Sequence, residues 1–172
     1  MLARNPAVTG RRRCSDATSA ATRATDLTFR VRILGGYYAP TRATEIWREI
    51  EVAANQTLAD LGNAIPLAFD FDDPHLWSFF FSGKAWDRAT EYALHSEANL
   101  LGGARPRAAG RIQLREAPFP GATGKKEFLF LFDYGDEWHF GVKLQRVVTE
   151  QVESGAQYPR VVANQGLSLI HI

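Results

Sequence analysis

Cysteine is nearly absent from this chain. Cys14 stands alone, which excludes an intrachain disulfide and any zinc site built from clustered cysteines. Long apolar runs are missing too: the longest uninterrupted stretches, such as Phe128–Phe132, hold five residues, against the roughly 20 that span a bilayer. Charge of either sign is not in surplus, since 20 Lys and Arg face 19 Asp and Glu. No global field therefore draws the chain to nucleic acid or to an acidic membrane. The sequence also has no G-x-S-x-G, no H-E-x-x-H and no P-loop, the signatures of serine hydrolases, zinc peptidases and nucleotide hydrolases. No membrane partner is expected, and a cytoplasmic location is the default reading.

What is present is a chain of 172 residues, 45% hydrophobic, enough for one core of ordinary size. Its densest aromatic cluster lies in Lys126–Val148, where parity predicts a central hairpin. Trp138, Phe140, Val142 and Leu144 alternate with His139, Gly141, Lys143 and Gln145, a period of two with one polar face. In the preceding arm Phe128, Phe130 and Phe132 share one face and Leu129 and Leu131 the other, as in a strand covered on both sides. A two-residue turn at Gly135-Asp136 would put the two aromatic faces on opposite sides, because a one-residue slip flips every side chain. An odd loop, Tyr134-Gly135-Asp136, instead sets Phe132 opposite Trp138 and Phe130 opposite Phe140, with Gly135 the natural left-handed residue.

Residues 1–25 carry five arginines, one aspartate and no aromatic. They read as a disordered tail or as translation begun upstream of the true start; a basic arm and a transit peptide are the functional alternatives. Order is expected from Asp26. Leu27, Phe29, Val31 and Ile33 form a half-buried strand that Gly35-Gly36 breaks, and a second strand covers about Glu45 to Ala53, pairing antiparallel with the first. Thr57 and Asp60 form a capping box that opens a helix with the apolar stripe Leu58, Leu61, Ile65, Ala68 and Phe69. Pro66 predicts a bend or stop near Gly62–Pro66. The acidic stretch Asp70–Pro74 leads into a third strand at about His75–Phe81, which Ala85-Trp86-Asp87 resumes after Ser82-Gly83. Residues 95–110 read as a long mobile loop.

These pieces resemble the plasmid Ri ORF-3-like family, also described as passenger TnpR-type proteins of insertion elements. The resemblance rests on IWREIEVAANQTLADL at 46–61, Phe69, DDPHLWSF at 72–79, Tyr158-Pro159-Arg160 and above all FDYGDEW at 132–138. It covers residues 26–162 and implies an α+β domain with a curved, largely antiparallel sheet, a central aromatic hairpin and helices packed against it. It implies an association with mobile elements but no biochemical activity. Family members often carry His-x-His where this chain has His75-Leu76-Trp77, and Trp-x-His where it has Trp138-His139-Phe140. A metal site built on those imidazoles would lose most of its ligands here. Residues 163–172 read as a truncated end, its last six (167–172) resembling a translated sequencing adapter.

Three functional readings follow. The first is a binding or accessory module with a protein or nucleic-acid partner, no cofactor and no assignable catalytic residue. The second is a divalent-metal-dependent hydrolytic enzyme. Asp72 and Asp73 would meet Asp133 and Asp136 if the third strand lies beside the hairpin, and a hard cation takes such oxygen ligands. A calcium loop starting at Asp70 fails, because His75 stands at its sixth position and Phe81 at its twelfth. Aspartate also holds turns through its own backbone hydrogen bonds, which is the reading adopted for these acids. The third is a nucleic-acid accessory protein using Arg105, Arg107 and Arg111, with Arg115 and the N-terminal arginines. Trp47, Trp77, Trp86 and Trp138 read as core before pocket, and His75 as a satisfied imidazole.

Overall fold

The computed structural model describes residues 23–95, 105–120, 126–151 and 156–166. Expectations for residues 1–22 of the N-terminal tail, for most of the 95–110 loop and for 167–172 lie outside these residues, whereas 23–25, expected in the tail, already belong to the first strand. Among the described residues eight strands form one sheet: β1 (Arg23–Gly35), β2 (Trp47–Ala53), β3 (Trp77–Phe80), β4 (Glu91–Ala93), β5 (Arg107–Ala108), β6 (Phe128–Phe132), β7 (Trp138–Gln151) and β8 (Arg160–Gln165). Their spatial order is β5-β4-β3-β6-β7-β1-β2-β8. Every pairing is antiparallel except β4 with β5. Among the described residues one helix, α1 (Leu58–Ala68), covers a face, with several single 3-10 turns beside it. The expected packing of helices in the plural is corrected by this one helix on a mostly β architecture.

The hairpin register follows from parity. Phe132 pairs with Trp138 and Phe130 with Phe140, so Phe128, Phe130, Phe132, Trp138, Phe140 and Val142 enter one core with Leu27, Phe29, Val31 and Ile33 of β1. The opposite face of β6 is apolar too, and Leu129 and Leu131 join Phe80 in a second, smaller cluster. The connection differs from expectation. It is Asp133–Glu137, still an odd number of residues, and its left-handed positions are Asp133 (φ 53°) and Glu137 (φ 49°) rather than Gly135. The Glu137 N–H donates to the Asp133 carbonyl at 2.7 Å, and the Gly135 N–H donates to Asp133 Oδ1 at 3.0 Å. An aspartate tolerates this conformation because its short side chain bonds locally.

Helix α1 begins at the predicted capping box, with the Asp60 N–H donating to Thr57 Oγ1 and the Thr57 N–H to Asp60 Oδ2. Leu58, Leu61 and Ile65 are fully buried, as is Phe69 just past the helix end. The helix does not stop at Pro66 but runs on to Ala68. Pro66 sits in the last turn, two residues before the helix ends, so the donor it lacks and the crowding of the Gly62 carbonyl fall where the helix is about to stop. The Ala68 carbonyl accepts a hydrogen bond from Arg48 Nε at 2.9 Å, so a buried guanidinium closes the negative end of the helix. Burial lowers the pKa of that guanidinium.

Three further corrections concern the second half. Residues Ala85–Asp87 do not resume the third strand; turns intervene and β4 starts at Glu91. Part of the expected loop is ordered, since Arg107–Ala108 add to β4 as a parallel strand. β8 pairs with β2 through Gln165, giving the sheet an edge strand that no sequence pattern announced.

Candidate functional site

Pairing of β3 with β6 brings the acidic stretch and the hairpin turn to the same end of the sheet, because Trp77 lies opposite Phe132. Proximity of segments does not become convergence of side chains. Among the described residues no three of His, Cys, Asp and Glu are grouped as a metal ion requires. Asp72 and Asp73 are exposed. Asp133 is committed locally: Oδ1 accepts from Gly135 N, and Oδ2 lies 3.4 Å from His75 Nδ1. Asp136 contributes its carbonyl, which accepts the Tyr37 N–H at 2.9 Å and ties the β1–β2 loop to the turn. His75 stacks edge-on at 5.6 Å against Phe132. A carboxylate-backed imidazole suits a general base, but no hydroxyl or thiol among the described residues is hydrogen-bonded to it.

The basic stretch is divided in the same way. Arg107 donates to the Ala89 carbonyl at 2.8 Å and lies over the Tyr92 ring. Arg115 faces Glu116 at 3.6 Å, while Arg105 and Arg111 are exposed. On the solvent side of the sheet, arginines alternate with carboxylates. Arg30 holds Glu49, Arg32 grips Glu127 with two hydrogen bonds, and Arg146 and Arg160 flank Glu51. The Arg32 pair keeps the Glu127 carboxyl below its ordinary pKa. Among the described residues that surface presents both signs rather than a continuous track for phosphates.

A buried polar network escaped the sequence reading. Ser78 Oγ donates to Glu91 Oε1 at 2.7 Å and bonds the Tyr134 hydroxyl at 2.7 Å, while Arg88 Nη1 donates to Glu91 Oε2 at 2.6 Å. Glu91 is 1% exposed, so its charge is tolerated only because both oxygens have donors. The sole hint in the sequence is the spacing of Arg88 and Glu91, three residues apart. The network ties the hairpin turn to the segment before β4. Burial raises the Tyr134 pKa and keeps its hydroxyl protonated.

An apolar concavity lies elsewhere. Helix α1 spans 11 residues and covers the middle of the core face, leaving the same face of β8 open. The result is a groove of about 360 Å³ with Ile50 of β2, Ala64, Leu67 and Ala68 of α1, Pro159 just before β8 and Val161 of β8. Asp60, Asn63 and Arg160 also line it. Leu67 is 69% exposed and Val161 45% exposed. The Asn63 carbonyl oxygen accepts from the Trp77 indole at 3.3 Å. Among the described strands β8 pairs only with β2, so its outer backbone edge has no strand partner.

Comparison with known proteins gives a family and a fold. The family model described as plasmid pRiA4b ORF-3-like protein matches residues 40–168. The structure is similar to the crystal structure of a protein of unknown function, MM3350 from Methanosarcina mazei Go1. The TM-score is 0.61 at 24% sequence identity, covering 84% of this chain and 71% of that one. No curated protein matches the chain. Among the described residues no helix is long and apolar enough to cross a membrane.

Proposed function

The chain belongs to the family of plasmid pRiA4b ORF-3-like proteins, and within that family we propose that it is a binding module for an extended, apolar segment of a protein partner. The observation that carries this reading is the groove between α1 and β8, placed directly beside a strand edge that has no strand partner among the described residues. An added strand gains affinity from main-chain hydrogen bonds to the edge and specificity from alternate side chains dropped into an adjacent pocket. Leu67 and Val161 supply apolar surface for such a side chain. An accessory role beside a mobile element's own machinery fits a module of this kind.

The test is selection of a displayed random heptapeptide library on the folded protein. Recovered peptides are expected to alternate apolar residues and to protect the amides of residues 160–165 from hydrogen exchange. Leu67→Asp is expected to weaken them at least tenfold without moving the thermal midpoint, since Leu67 is exposed. Peptides that leave those amides unprotected, or that bind Leu67→Asp equally well, overturn the proposal.

A further inference from the structure

We infer that the turn end of the sheet is a second binding site, one that takes an arginine side chain presented by a protein. A cavity of about 390 Å³ opens there between the β1–β2 loop and the hairpin turn. Tyr37, Tyr134, Asp136, Glu137 and His139 line it, and among the described residues no lysine or arginine does. Tyr37 is 80% exposed and Tyr38 64% exposed, their rings edge to face at 4.8 Å. Two neighbouring aromatic rings held in water are not explained by the core.

The arrangement is built rather than loose. Gly36 lets the loop close down on the hairpin, since a Cβ there would stand 3.0 Å from the Trp138 ring. The Tyr37 N–H to Asp136 carbonyl bond then fixes the loop against the turn. Tyr134 is anchored through its hydroxyl to Ser78. Among the described residues the carboxylates of Asp136 and Glu137 have no ion-pair or hydrogen-bond partner. The sign of the charge selects the ligand. Carboxylates repel phosphate, which sets nucleic acid aside, whereas tyrosine faces attract a cation. A guanidinium satisfies both features at once, because its plane stacks on an aromatic ring while its N–H fork meets carboxylate oxygens. Tyr38 points to a polypeptide rather than a small free cation: it does not line the cavity, and its exposed ring offers contact to residues flanking the arginine.

The experiment titrates the full chain with a fluorescent Gly-Gly-Arg-Gly-Gly peptide, with the same peptide carrying neutral citrulline, and with methylguanidinium. Amide shifts read by NMR report the location. Saturable binding of the arginine peptide is expected, with shifts at Tyr37, Asp136 and His139. The citrulline peptide should bind at least tenfold more weakly, and Tyr37→Ala and Glu137→Gln should each cost at least fivefold. Both residues are exposed, so an unchanged thermal midpoint is the control for folding. Absence of binding, equal binding of citrulline, or insensitivity to both substitutions overturns the site. Methylguanidinium binding as tightly as the peptide overturns the polypeptide source. Preference for a single-stranded oligonucleotide over the arginine peptide overturns the charge argument.

Discussion

Asp133 shows how a single side chain can look like chemistry and serve conformation. Its carboxylate accepts the Gly135 N–H, its backbone is left-handed, and its side chain is mostly buried at 19% exposure. Asp133→Ala is expected to cost about 1–3 kcal/mol in chemical denaturation, through the lost hydrogen bond and the steric cost of alanine at positive φ. Gly135→Ala should change stability by less than about 1 kcal/mol, because Gly135 is not left-handed and its added Cβ meets only Asp133 Oδ1, at 3.3 Å. The turn-holding reading also expects no rise in melting temperature with millimolar manganese; a saturable rise abolished by Asp133→Asn marks a metal site instead. Parity made the register legible, but which residue turns left-handed was not, since glycine's freedom does not oblige it to use that freedom. A second single-residue effect is set by pH. The hydrogen bond from the Tyr158 hydroxyl to Asp26, helped by burial, raises the Tyr158 pKa from 10.0 to about 12. A group whose folded pKa is raised stabilises fully below its unfolded value and loses that contribution as pH climbs through the folded one. The melting temperature should therefore fall more steeply between pH 10 and 12 in the native chain than in Tyr158→Phe.

Helix α1 shows which features of an element a sequence discloses. Its start was readable from Thr57 and Asp60 and its buried stripe from spacing, because both are local. The reason for Gly62 was not, because it comes from a strand 15 residues further on. A Cβ at Gly62 would lie 2.4 Å from the Trp77 ring, which is itself buried. Gly→Ala in a helix interior ordinarily gains about 1 kcal/mol. Here Gly62→Ala is expected to lose about 1–3 kcal/mol by overpacking, read as a lower denaturation midpoint. A gain would show that the Trp77 ring moves aside freely. β4 and β8 were missed for opposite reasons. β4 buries a glutamate that looks like a surface residue, whereas β8 is too exposed along its length to carry an alternation.

Local pattern gave two adjacencies, β1 with β2 and β6 with β7, but not the order in which these pairs are joined across the molecule. β1 lies between β2, its near neighbour in sequence, and β7, so that Leu27 pairs with Val147. Such non-local pairing is fixed by the total burial it allows rather than by any short segment. The centre of the sheet should therefore be the last region to open. Native-state hydrogen exchange is expected to be slowest in β1, β6 and the first half of β7, and fastest in β5 and β8, the two edges. Uniform protection across β8 and β1 would contradict this gradient. One element at that centre has a particular consequence for how the fold is encoded. β6 is apolar on both faces, so sliding it by one residue would trade phenylalanines for leucines without stranding a polar group in either cluster. Taken alone, it is a palindrome to the core. The text that fixes its reading direction is written in its partner, where His139, Gly141 and Lys143 forbid the reversed face, and an unambiguous message in β7 proofreads an ambiguous one in β6.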